Sequence, residues 1–357
     1  MSAPEPVRGW IVLSIVALLC LAVPLPEQTV ETLYSRDMYP WLQTGFTSLS
    51  NLAPFAVLDL LLVVGAVLLG LRLWRTLLIT RDQGLFNAVW ELLRRGLRAG
   101  SIVVILFLWA WGFNYRRPAL ETTVPGADTR PTIEELEKAF HASNVLATRL
   151  RPTAAGQPEL SDDELVRELQ KPFNSALAHI GRPPLSVPGR PKHSIVLTPF
   201  FTKAGVDGML NPLALESIVH RDLLPFERPM VLSHEWAHLA GQADEAEASA
   251  VGWLACMSGG PKLAYSASLY LITHAQGAMP AAMRRAAIAK IHPDVRGDLA
   301  EIAERLKKED PRVNRAAFRI YDEYLKANRV EDGKASYGRA LTLILTPKFQ
   351  DTLAGYR

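Results

Sequence analysis

The sequence predicts a three-helix transmembrane anchor, residues 1–117, joined by a linker, 118–130, to a mainly helical α+β domain, 131–357, with a small sheet ahead of a histidine-bearing helix. Three observations predict it. The first 115 residues carry 8 Arg, no Lys and 7 Asp/Glu, roughly half the charge density of the rest. Three apolar runs lie inside that weakly charged third, and a His-Glu-x-x-His motif lies in the charge-rich remainder. The whole chain has 357 residues, a net charge of +3 and a mean hydropathy of +0.08. So small a positive charge, without a concentrated basic stripe, argues against nucleic acid as a partner. Two cysteines, Cys20 and Cys256, exclude a disulfide framework.

The first apolar run extends from Gly9 to Leu25 without a charge. Arg8 precedes it but no small-x-small site follows, which favours an anchor over a cleaved leader. The second, Leu52–Leu71, holds one charge, Asp59, and the third, Ser101–Tyr115, holds none. At 1.5 Å per residue, about 17–25 residues cross the hydrocarbon core. The third run is short, but Arg98 and Arg116 flank it and can snorkel to the interfaces. Asp59 is expected at mid-membrane, facing a partner within the bundle.

Arginines set the expected orientation. Arg72, Arg75, Arg81, Arg94, Arg95 and Arg98 lie between the second and third runs, and only Arg36 lies between the first and second. The arginine-rich loop is expected in the cytoplasm, and three crossings then place the following domain outside. Within that loop, Leu85–Leu97 reads as a helix lying in the interface plane.

Beyond the anchor, capping boxes at Thr132–Glu135 and Ser161–Glu164 open two helices. Residues 172–192 are rich in Pro and Gly and read as loop. Ser194–Leu197 and Glu216–His220 read as strands, and the chain from Pro229 onward reads as helices.

His234-Glu235-Trp236-Ala237-His238 carries the chemistry. Residues i and i+4 share one helix face, so two imidazoles can reach one Zn²⁺, with Glu235 beside them as general base for the attacking water. Gly241 supplies a stop after this helix. A catalytic site needs a third protein ligand, and Asp244, Glu245 and Glu247 are within reach. Glu247 is the preferred ligand. Its i+4 and i+7 neighbours, Val251 and Leu254, turn it inward, where a carboxylate needs a cation or a donor. Glu245 lies about 200° around the helix from it, on a stripe with Ser249 and Gly252. Asp244 stands at metzincin-like spacing, or serves as the N-cap of the second helix.

Weaker candidates surround this set. The strand Glu216–His220 could pair with an extended peptide, as the substrate-aligning edge strand of zincins does. Tyr265 or Tyr337 could donate to the oxyanion of a tetrahedral intermediate, or simply pack. His193, His220 and His274 read as structural.

The order of motifs resembles the bacterial membrane-protein family catalogued as domain of unknown function 3810. Trp111-Gly-Phe-Asn-Tyr-Arg116 resembles the motif closing that family's third membrane helix. Gly208-Met-Leu-Asn-Pro212 follows, then Ser233-His-Glu-Trp-Ala-His238 with Gly241. Glu245-Ala-Glu-Ala248 is similar to its acidic EDEAN element, with Ser249 in place of the asparagine. Tyr265-Ser266, Tyr321-Asp-Glu-Tyr-Leu-Lys326 and Ser336-Tyr-Gly338 complete the match. The resemblance implies a membrane-anchored, zincin-like protein and supplies no substrate.

The expected function is a zinc metallopeptidase-like hydrolase of the bacterial cytoplasmic (inner) membrane, with a periplasmic domain acting on envelope peptides or proteins. A catalytically silent zincin-fold protein that binds or scaffolds envelope components is the alternative. A transporter is disfavoured, because Asp59 is the one carboxylate within the apolar runs.

Overall fold

Helices dominate because nearly every long apolar stretch repeats at helical spacing. The computed structural model describes residues 8–156, 158–328 and 336–350, except the side chains of Arg8, Ile79, Arg81–Gln83 and Ser336–Gly338. Helix α1 (Arg8–Ala22) ends at a break. There follows a continuous rod of α2 (Glu27–Thr29), a π-helical stretch (Val30–Met38) and α3 (Tyr39–Leu52). Helices α4 (Val57–Gln83) and α5 (Leu85–Ala110) form a hairpin turned at Gly84, whose φ of +84° suits glycine.

Among the described residues, Val57–Leu78 of α4 is the one segment long and apolar enough to cross a membrane alone. Helix α1 with Glu27–Leu52, and α5 with Gly112–Thr122, pass that test only as bent pairs.

Several expectations about the anchor change. Leu85–Leu97 is not a separate in-plane helix but the first half of α5. Glu91 pairs with Arg94 and Arg95 along its surface, so this polar stretch continues the helix without a bend. The second apolar run does not become helical at Leu52. The chain breaks first, and α4 starts at Val57, where the Glu216 carboxylate accepts the N–H groups of Val57 at 2.9 Å and Leu58 at 2.7 Å. Asp59 therefore sits in the first turn of α4, at one end of the apolar segment Val57–Leu78 and not at its middle. It accepts the Ser194 hydroxyl and the Ile195 N–H. Arg116 caps α1, donating to the carbonyls of Cys20, Leu21 and Val23.

Residues 118–130 are not a loose linker. Leu120, Val124 and Ala127 are buried in one core with Tyr39, Trp111 and Trp236. Residues on both sides of position 117 thus share one core.

The domain continues with α6 (Ile133–Gly156), α7 (Asp162–His179), α8 (Thr198–Ala204), β1 (Gly208–Asn211), β2 (Glu216–Val219), α9 (Arg228–Leu239) and α10 (Glu245–Met257). Then come α11 (Pro261–Ala278), α12 (Ala281–Ala289), α13 (Pro293–Leu306), α14 (Pro311–Ala327), α15 (Ser336–Ile344) and α16 (Pro347–Gln350). The capping box at Ser161 is present, and Thr132 and Glu135 exchange the same reciprocal bonds. Helix α7 carries Pro172 inside it, so the expected loop begins only after His179.

Strands β1 and β2 pair antiparallel, Gly208 opposite Val219 and Asn211 opposite Glu216. Ser194–Leu197 is a turn into α8 rather than a strand. Lys192 instead bridges to Ile218, with Lys192 N–H donating to Ser217 O at 3.0 Å and Val219 N–H to Lys192 O at 2.8 Å. With β1 on one side and Lys192 on the other, β2 is not the open edge expected for it. That edge belongs to β1. Helix α10 lies at the centre, with every residue from Glu245 to Met257 buried.

Candidate metal centre

Helix α9 presents His234 and His238 one turn apart, and both turn Nε2 toward α10. His238 Nδ1 lies 2.8 Å from the Gln242 carbonyl, which can only accept, so Nδ1 carries a proton and Nε2 is the nitrogen turned to the cluster. His234 Nδ1 lies 3.2 Å from Ser249 Oγ. The third group at the cluster is Glu245. Its Oε2 is 3.2 Å from His234 Nε2 and 3.4 Å from His238 Nε2, and the two nitrogens are 3.1 Å apart.

Glu247, the ligand preferred from sequence, does not join them. Its carboxylate accepts the Leu120 N–H and faces Asp244, Arg182 and Arg117. Asp244 is the N-cap of α10, accepting the Ala246 N–H at 2.8 Å, and pairs with Arg339 at 2.8 Å. The preference for Glu247 assumed that α10 has one inward face, whereas this helix is buried all round. The stripe that meets α9 is the one with small residues. A Cβ on Gly252 would lie 2.9 Å from the backbone nitrogen of His234, so glycine there sets how closely the two helices approach. Glu245, Ser249 and Gly252 share that stripe.

The donor set fits a divalent cation. Tetrahedral zinc with bonds of about 2.0–2.1 Å holds its ligand atoms roughly 3.3 Å apart, close to the three separations observed. Glu245 Oε2 is buried with no hydrogen-bond partner, as is Oε2 of Glu235. The other oxygen of Glu245 accepts the Tyr321 hydroxyl from α14. That contact leaves Oε2 as the oxygen offered to the histidines.

The electrostatics point the same way. Burial disfavours a charge on Glu245, yet the two imidazoles outweigh it and hold the carboxyl well below its usual range. Burial also pulls His238 down, but Glu245 outweighs it and raises the imidazole to about 9. Burial lowers His234. Together these shifts favour charge on Glu245 and His238 and disfavour it on His234.

Glu235 lies beside the cluster, against β1. Burial pushes its carboxyl up to about 8. A Cβ on Gly208 would come 2.5 Å from Glu235 Oε1, so glycine at this position makes room for the carboxylate beneath the strand. Arg305 ties the start of β1 to the start of α9, pairing with Asp207 at 2.9 Å and Glu227 at 2.7 Å.

The chain's remaining candidates lie elsewhere. Tyr265 donates to Asp298, away from the histidines, and the Tyr337 side chain lies outside the described residues. His220 is held by Thr202 and the Asp222 N–H, His193 approaches Asp162, and His274 stacks on Tyr270.

Groups from α3 and from the chain just beyond α5 hold the far end of α9. Trp111 Nε1 donates to His238 O at 2.9 Å, the Tyr39 hydroxyl to Leu239 O at 2.8 Å, and Arg117 Nη1 to Gly241 O at 2.9 Å. Glu31 anchors Arg117 at 2.8 Å and Arg182 at 2.7 Å. Burial raises the Glu31 carboxyl, but the two guanidiniums prevail and hold it at about 2.

The family described as Protein of unknown function (DUF3810) matches residues 34–345. The chain belongs to this family. No curated protein and no solved structure matches it. The DUF3810 match spans Tyr39, Trp111 and Arg117, which hold α9, and the cluster itself. Sequence reasoning gave Gly208 and Tyr321 no role, although both lie in motifs of that resemblance.

Two outcomes follow from this geometry. Gly252→Ala is expected to lower stability by about 1–3 kcal/mol through overpacking, read as the unfolding midpoint in detergent. The Glu31 carboxyl drops from 4.5 in the unfolded chain to about 2 when folded. Its contribution is therefore complete above pH 4.5 and disappears as pH falls through 2. Between those limits, wild type should lose about 3 kcal/mol more stability than Glu31→Gln, measured by denaturant titration at stepped pH.

Proposed function

We propose that this chain is a membrane-anchored, zinc-dependent hydrolase of peptide bonds in the cell envelope, built on a zincin-like arrangement. The observation that carries the reading is the convergence of His234, His238 and Glu245 beside the partnerless Oε2 of Glu235. His234, His238 and Glu245 would hold the metal, and Zn²⁺, when bound, supplies a Lewis acid for the scissile carbonyl. Glu235 takes the proton of the attacking water and returns it to the leaving amine. Gly208 keeps β1 close above Glu235, so a peptide extended along the outer edge of β1 runs past the base. Tyr321 holds one oxygen of Glu245 and keeps the other directed at the histidines.

For topology, we place α1, α4 and α5 across the bacterial inner membrane, with the Gly84 turn and its flanking arginines in the cytoplasm. The domain then lies outside. Arg116 and Arg117 fall on the outer side, where α1 carbonyls and Glu31 occupy them.

The test is metal content and turnover of the purified full-length protein. His234→Ala, His238→Ala and Glu245→Ala should each lose bound zinc, whereas Glu247→Gln should retain it. Glu235→Gln should keep zinc and lose at least about a hundredfold in turnover, read by comparing peptides released from envelope fractions with wild type. Zinc retained without His234 or His238 would contradict the site. Equal peptide release by Glu235→Gln would instead favour a binding protein.

A further inference from the structure

The rod from Glu27 to Leu52 reverses the ordinary pattern of an amphipathic helix. Its buried side is largely polar. Gln43 donates to Val187 O at 2.7 Å, Thr47 to Leu215 O at 2.8 Å, and Ser35 to Asn114 Oδ1 at 3.0 Å. The outward side of its α3 half is apolar, with Trp41 78 %, Leu49 69 % and Leu52 80 % exposed, whereas Glu27, Arg36 and Asp37 are exposed on the half before it. Helix α3 contains no charged residue. The rod bends 108° away from α1 and leads into α4, so it joins two apolar helices while running across the first.

A second apolar surface flanks it. Asp59, in the first turn of α4, fixes Ser194 and Ile195 at the level where the membrane-crossing segment Val57–Leu78 begins. Ile195 is nonetheless 71 % exposed, with Val196 and Phe200 exposed beside it. Lys192 ties the two surfaces together by donating to the carbonyls of Ser50 and Phe55.

We propose that this collar is the lipid-facing floor of the domain. Helix α3 lies in the plane of the outer membrane interface, with Trp41, Leu49 and Leu52 in the acyl boundary. The 195–200 turn dips in beside α4. Continuity with the α4 segment selects a bilayer as the occupant. An uncharged apolar helix face with a tryptophan suits burial of about 5–10 Å into that boundary. The metal cluster would then stand at a fixed short height above the lipid, positioned for membrane-proximal polypeptide segments. This inference rests on the membrane-anchored part of the proposed function and not on its hydrolytic part.

The experiment uses full-length protein in phosphatidylcholine–phosphatidylglycerol vesicles. Cys256 is buried and its thiol pushed up to about 12, so Cys20→Ser leaves a background in which an introduced cysteine is labelled selectively. Leu49→Cys and Ile195→Cys carry an environment-sensitive fluorophore, with Glu134→Cys on exposed α6 as reference. Lipids spin-labelled near the top of the acyl chain should quench positions 49 and 195 at least about twofold more than position 134. Quenching equal to that at 134 would overturn the proposal. So would a blue-shifted probe that acyl-chain labels leave unquenched, as burial against a second copy would give. Independently, Trp41→Phe should remove part of the intrinsic fluorescence quenched by brominated lipids. Unchanged quenching in that variant would overturn the placement of α3.

Discussion

The rest of the structure depends on how the C-terminal end of α9 is held. A helix ends with carbonyls that lack intrahelical partners. Here Trp111, Tyr39 and Arg117 supply donors to His238, Leu239 and Gly241. All three donors come from the segments that enter or leave the apolar helices. The histidine pair is therefore held directly by residues next to the apolar helices. Glu31 completes the arrangement by pairing with both Arg117 and Arg182, buried guanidiniums that also face Glu247.

The opposite side of the histidines depends on small residues. Gly252 and Ser249 let α10 approach α9 closely enough for Glu245 to reach both Nε2 atoms. Gly208 does the same for Glu235 beneath β1. Each buried carboxylate of the neighbourhood has its own answer to desolvation. Glu245 faces imidazoles, Glu247 a backbone N–H and more distant guanidiniums, and Asp244 an N-cap with Arg339. Glu235 Oε2, like Glu245 Oε2, is buried without a hydrogen-bond partner.

The helical pattern, both capping boxes and the His-Glu-x-x-His helix were legible because each rests on contacts within a few residues. The third ligand was not, because periodicity identifies an inward face only on a helix that has an outward one, and α10 has none. The contacts of Asp59 and Glu216 at the start of α4 were not legible for a related reason. Their partners, Ile195 and the N-terminus of α4, lie more than a hundred residues away in sequence. Composition alone made 118–130 look like a linker. Nothing local revealed that Leu120, Val124 and Ala127 close the core over Trp111. Helix α3 carries no charged residue, yet only its packing shows which side faces the protein.

The central claim is that one carboxylate of α10, Glu245, completes a metal site with the two histidines of α9. The most direct measurement is an X-ray absorption spectrum at the zinc edge of the purified full-length protein. The account predicts a first shell of nitrogen and oxygen alone at about 2.0–2.1 Å, with outer-shell scattering from two imidazoles and its loss in His234→Ala/His238→Ala. A spectrum without imidazole scattering, or a first shell containing sulfur, would contradict it.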